Sequence, residues 1–132
     1  MKEKITLGQR GEDLACEFLK KKGYEILARN YRKPWGEIDI VTRAGDGTLV
    51  FIEVKTMAGA GASFAQVTEG KEELLNPEDH ANEPKMKKVR KTCEALVNRN
   101  PKLVSEKRGW RIDLVAIVIR DSDPVIRHYE SV

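Results

Sequence analysis

The chain has 132 residues, 34% of them charged and 40% hydrophobic, and its 24 Lys and Arg against 21 Asp and Glu leave a net charge of +3. One domain is expected at this length, no run of about 18 apolar residues is present to cross a membrane, and the opening residues Met1 to Leu7 lack the apolar core of a signal peptide. Cys16 and Cys93 are too few for a disulfide framework, so a single cytoplasmic domain is expected.

The spacing of Leu7, Gly11, Leu14, Ala15, Phe18 and Leu19 predicts a helix over 7–22. Thr6 is its N-cap, Gln9 completes a capping box, and Gly23 stops it. Residues 24–31 read as extended, Pro34-Trp35-Gly36 as a turn, and 37–43 as a strand with Ile38 and Ile40 on one face and Glu37, Asp39 and Val41 on the other. Gly45-Asp46-Gly47 marks a hairpin. The nearly continuous apolar run over 49–55 then predicts a central strand. A long loop is expected over 57–83. A basic amphipathic helix follows over 85–98, with Met86, Val89, Cys93, Leu96 and Val97 facing inward. Strands over 111–119 and 125–129 complete the order α-β-β-β-α-β-β, a mixed α/β domain.

The charges are sorted along this order. Residues 69–83 hold six acids and one base, whereas 85–111 hold ten bases and two acids. The basic stretch reads either as a phosphate-binding face or as a solvated helix with cations near its C-terminus. Lys85 and Lys88 would be the phosphate contacts in the first reading. Arg32 and Trp35 border the candidate site around Asp39 and Glu53 and can touch a phosphate or stack on a base, although Trp35 also suits packing at a turn. The acidic loop 69–83 can serve as a surface for a protein partner. Cys16 and Cys93 fall on apolar helix faces. Asp113 beside Arg111 reads as an ion pair, and Glu37 as a partner of Arg32 or Arg10. His80 and His128 stand far apart and make no zinc motif.

Acids inside strands are costly unless something pairs them. Asp39 lies within Glu37-Ile38-Asp39-Ile40, and Glu53 within Ile52-Glu53-Val54-Lys55. A tight hairpin joins the two runs, so Asp39 and Glu53 can come within reach of one metal ion. Period-2 alternation puts Glu53 and Lys55 on one face and Val54 on the other. Two carboxylates, the backbone carbonyl of Val54 and an ammonium suit Mg2+-assisted phosphodiester hydrolysis, with Lys55 orienting water or offsetting developing charge. Glu12 on the first helix is a further candidate ligand. A cross-strand salt bridge to Lys55 is the structural alternative.

The ordered runs Gly8-x-x-Gly11-Glu12-x-x-Ala15, Asn30-Tyr31-Arg32, Gly36-Glu37-Ile38-Asp39 and Val50-Phe51-Ile52-Glu53-Val54-Lys55 resemble the YraN family of small bacterial proteins, as do Lys85-x-x-Lys88-Val89 and Arg111-Ile112-Asp113-Leu114-Val115. That family is similar to the restriction-endonuclease-like nucleases and to archaeal Holliday-junction resolvases. The resemblance implies a single nuclease-like domain over 1–132, with a restriction-endonuclease-like mixed β-sheet flanked by helices. It implies Asp39 and Glu53 as metal carboxylates binding Mg2+ or Mn2+, Lys55 as the catalytic lysine and Glu12 as the helix acid. The expected activity is endonucleolytic cleavage of DNA, on branched or damaged substrates, by a homodimer. A non-catalytic nucleic-acid-binding module or a protein-interaction adaptor on the same fold are the alternatives. The chain departs from the family pattern at Met57, where an Arg is usual, and in the length and acidity of the loop over 57–83.

Overall fold

The computed structural model describes residues 5–58, 84–119 and 123–132. The acidic stretch 69–83 and His80 lie outside the described residues. Helix α1 (Leu7–Lys21) is followed by strands β1 (Glu25–Lys33), β2 (Gly36–Arg43) and β3 (Leu49–Ala58), helix α2 (Pro84–Arg99), a short 3-10 turn (Pro101–Leu103), and strands β4 (Trp110–Ile119) and β5 (Pro124–Tyr129). The expected order α-β-β-β-α-β-β is therefore borne out.

The start of α1 follows from local chemistry. Gln9 N–H donates to Thr6 Oγ1 at 3.1 Å, and Thr6 N–H donates to Gln9 Oε1 at 3.0 Å. This reciprocal pair satisfies donors that the first helical turn leaves open. At the other end Gly23 adopts φ +92°, a left-handed conformation that ends the helix and turns the chain into β1.

The five strands form one sheet in the order β1-β2-β3-β4-β5. Only β3 and β4 run parallel; the other neighbours are antiparallel. The parallel pair needs a crossover, and α2 lies within it. Central β3 and β4 are covered on both faces, which explains their nearly unbroken apolar runs. On one face Ile38, Val41, Leu49, Phe51, Ile112 and Leu114 pack against Met86, Val89, Cys93 and Leu96 of α2. On the other, Ile40, Val50, Ile52, Val115 and Ile117 pack against Ala15, Cys16 and Leu19 of α1. Both cysteines are buried in these layers, and burial pushes both thiols up.

Strand β2 departs from simple alternation. Ile38 joins the α2 layer and Ile40 the α1 layer, although two residues apart they were expected on one face. Pairing between β2 and β3 ends at Ile40↔Ile52, while β2 stays paired to β1 through Gly36↔Lys33. Beyond Ile40 the two strands form a free ribbon, and two-stranded ribbons twist more strongly than wide sheets. The residue at this point of divergence is Asp39.

Candidate functional site

Where β2 and β3 part, the backbone of β3 loses its ladder partner. Asp39 replaces it, and Oδ2 accepts a hydrogen bond from Val54 N–H at 2.8 Å. A pocket of about 220 Å³ opens here, lined by Glu12, Asp39, Val54, Thr56, Lys85 and the start of α1 at Leu7 and Gly8. Glu53 lies beside it on the α2 face of β3 and is 2% exposed. Its Oε1 lies 2.7 Å from Lys85 Nζ. This is a short ion pair between the Lys85 ammonium and a buried carboxylate.

Glycine at position 11 makes the pocket possible. A Cβ there would collide with Thr56 Oγ1, so α1 can lie this close to β3 only with Gly11 at the contact. The next residue, Glu12, is thereby delivered to the pocket wall. Its Oε1 is buried without a hydrogen bond, and Arg29 Nη2 lies 3.9 Å from it. Arg29 is engaged more closely by Asp13, at 2.7 Å.

The electrostatics follow from this arrangement. Burial and then the charge of Asp39 push the Glu53 carboxyl up to about 7, with Lys85 and Lys55 only partly opposing them. Burial and Asp39 likewise raise Glu12, against the pull of Arg29, a hydrogen bond from Asn30, and Arg32. Burial opposes the Lys85 ammonium, but the carboxylates of Glu53 and Asp39 outweigh it and hold its pKa above the ordinary value. The charge of Asp39 thus raises both Glu12 and Glu53, partly offset at Glu53 by the two lysines and at Glu12 by Arg29 and Arg32.

Glu12, Asp39, Val54 and Glu53 therefore meet in and beside one pocket, and Lys55 acts on Glu53 from the neighbouring position. Lys85 turns into the pocket instead of standing out as a free phosphate contact. Lys88 is exposed one turn further along α2. Arg32 is exposed on β1 and pairs with Glu37 at 3.5 Å, the partnership expected for Glu37. Trp35 is 46% exposed, with the Arg99 guanidinium 5.3 Å from its ring centroid.

A second polar cluster lies at the other end of α1. Asp113, on the α1 face of β4, accepts from Arg111 Nε at 2.9 Å and from Ser131 N–H at 3.0 Å, and it contacts His128 Nε2 at 2.7 Å. Lys22 Nζ reaches His128 Nδ1 at 2.7 Å, which makes Nδ1 the acceptor and Nε2–H the donor to Asp113. Arg111 also donates to the Tyr24 hydroxyl at 2.8 Å. Burial would raise the Asp113 carboxyl, but the bonds from His128, Arg111 and Ser131 together hold it below its ordinary value.

One donor atom each from Asp113, His128 and Glu130 lies within 4.8 Å of the others, a spacing that could hold a metal ion. Both His128 nitrogens are already engaged, however, and Asp113 already has charged partners. The ion pair expected between Arg111 and Asp113 is present; the separation of His128 in sequence hid its place in the same network. Period-2 alternation on β4 and β5 was the one available signal, because it sends Asp113 and His128 to a shared face.

Together, the mixed sheet between two helices and the acidic pocket at the β2–β3 divergence define an α/β domain with a carboxylate-lined site. The model of Uncharacterised protein family UPF0102 matches residues 11–117, and the chain belongs to that family. It is 34% identical to a UPF0102 protein of Chloroherpeton thalassium over 92% of this chain and 82% of that one. It is 35% identical to one of Carboxydothermus hydrogenoformans over 96% and 93%. Over 36% of this chain and 44% of the other, identity to the Thermotoga neapolitana UPF0102 protein reaches 67%. The family resemblance drawn from the Gly8 to Lys55 motifs is thus borne out. Among solved structures, Pyrococcus furiosus SfsA in complex with Ca2+ is 18% identical, covers 92% of this chain and 61% of its own, and has a TM-score of 0.31, too low to carry an argument.

Proposed function

We propose that the chain is a divalent-metal-dependent endonuclease of the restriction-endonuclease-like class, acting on DNA and favouring branched or damaged forms. The observation that carries this reading is that Glu12 and Asp39 line one pocket with buried Glu53 beside it, and that Glu12 Oε1 is buried without a hydrogen bond. An all-oxygen donor set of this kind fits Mg2+ or Mn2+, and the Val54 carbonyl is a further candidate oxygen. Such a cation would polarise the scissile phosphoryl group and lower the pKa of a bound water. Asp39 and Glu53 would hold the ion, with Glu12 as a direct or water-mediated ligand. Lys55 would orient the attacking water or offset charge on the phosphoryl oxygens. Water adds at phosphorus, one P–O ester bond breaks, and the proton ends on the departing oxygen. Cytoplasmic residence and a homodimer fit action on two strands of a junction and belong to the same proposal.

The test is cleavage of branched, flapped and single-stranded DNA by the whole chain with Mg2+ or Mn2+. Cleavage that disappears in Asp39→Ala is expected. No cleavage of any substrate, or cleavage that survives Asp39→Ala, overturns the reading.

Exposed Arg32, Lys88 and Trp35 favour a second reading, a nucleic-acid-binding module without catalysis. It predicts metal-independent DNA binding that weakens steeply with salt. Binding unchanged by charge reversal at Lys88 and Arg32 counts against it.

A further inference from the structure

Lys85 opens α2 with its side chain 51% exposed, long enough and free enough to reach solvent. It instead returns to a carboxylate that is itself only 3% exposed and places Nζ 2.7 Å from Glu53 Oε1. It also lines the pocket that holds Glu12, Asp39 and Val54. An ammonium is a compact point charge that seeks the same oxygen lone pairs as a small divalent ion. Mg2+ requires its ligand oxygens at about 2.0–2.1 Å in near-octahedral array, and an oxygen approached by an ammonium on that side cannot also accept the ion there.

We propose that Lys85 is a tethered cation that occupies the carboxylate site in the metal-free chain, and that a divalent ion must displace its ammonium from Glu53. Displacement frees Lys85 toward the open side of the pocket, where an anionic substrate would approach. Binding of the metal and exposure of a phosphate-seeking lysine thereby become one event. The lysine serves the site twice: it partly neutralises a buried acid before the ion arrives and presents its charge outward afterwards. This inference rests on the reading of the pocket as a divalent-cation site.

The experiment is a calorimetric titration of the full chain with Mn2+ alone, comparing the unaltered protein with Lys85→Met, Lys88→Met and Asp39→Ala. Removing a competing cation should tighten Mn2+ binding by about tenfold in Lys85→Met. Lys88→Met removes the same charge one helical turn away, and its change should stay within about twofold because exposed charges are screened. Asp39→Ala should abolish the site. If neither the unaltered protein nor Lys85→Met binds Mn2+, the cation-site reading fails and this inference with it. If the unaltered protein binds Mn2+, Asp39→Ala does not, and Lys85→Met binds no more tightly, the site stands and the tethered cation is overturned.

A measurement without substitutions keeps the test independent of folding. Acetylation of Lys85 by an amine-reactive ester, read by mass spectrometry relative to Lys88, should rise severalfold at saturating Mn2+. A constant ratio overturns the displacement.

Discussion

Two buried acids lie on opposite faces of the sheet, and their surroundings differ in kind. Asp113 sits among Arg111, His128 and the Ser131 N–H, and its carboxyl is held low. Glu53 is almost as deeply buried, is paired with Lys85, lies near Asp39, and is pushed up to about 7. Burial is common to both, so burial does not mark a working site. The partners differ: Asp113 is held by several donors, whereas Glu53 faces a second carboxylate that its lysines only partly offset. Asp113 is a structural tie between β4, β5 and the end of α1; Glu53, with Asp39 and Glu12, belongs to the candidate site.

The largest test of that contrast is Asp113→Ala. Removing one partner from a buried charge network costs about 3–5 kcal/mol, so urea unfolding should show a loss of that size with Mn2+ binding intact in the folded fraction. A loss below about 1 kcal/mol would place Asp113 outside the structural class. Next comes Gly11→Ala, which should cost about 1–3 kcal/mol by overpacking against Thr56. Thermal unfolding reads the cost, and weakened Mn2+ binding reads the shift of Glu12.

The pH dependence separates the two acids by sign. Glu53 has a folded pKa of about 7 against an ordinary 4.5. The stability contributed by its protonated form is complete below pH 4.5 and lost as pH rises through 7. Compared with Glu53→Gln, the unaltered protein should lose at least about 1 kcal/mol across that interval. Asp113 behaves oppositely: its lowered pKa contributes stability above the ordinary 3.8 that is lost as pH falls through its folded value. Unfolding free energies of the two variants from pH 3 to 8 would show whether the slopes differ as expected. The smallest effect belongs to Thr6→Ala, which removes a cap bond at the pocket end of α1 and should cost about 0.5–1 kcal/mol in thermal unfolding.

Much of the fold is legible in the residues because it rests on short-range physics. Thr6 and Gln9 cap α1, Gly23 ends it, and the Met86-Val89-Cys93-Leu96 stripe orients α2. Asp39 and Glu53 stand out as acids inside strands, and the hairpin turn over 45–47 brings their strands together. The facing of Ile38 and Ile40 was not legible, because it depends on where β2–β3 pairing stops and the ribbon begins to twist. Arg29, Thr56 and Lys22 carried no local signal either. Their contacts with Asp13, Gly11 and His128 join residues far apart in the chain or set by the packing of α1 on the sheet.

By itself the sequence determined the elements, their order, the inward stripes of the two helices and the identity of the candidate carboxylates, since periodicity, caps and turn residues act over a few positions. The pairing of Asp113 with Arg111 was legible; the tertiary structure alone decided the further partners of each acid. Asp113 and Glu53 look alike as charged residues in apolar strands, and their partners come from β5, α2 and the chain beyond. Hydrogen bonds form over about 3 Å, so the distinction between a structural tie and a candidate site exists only once distant segments have been brought together.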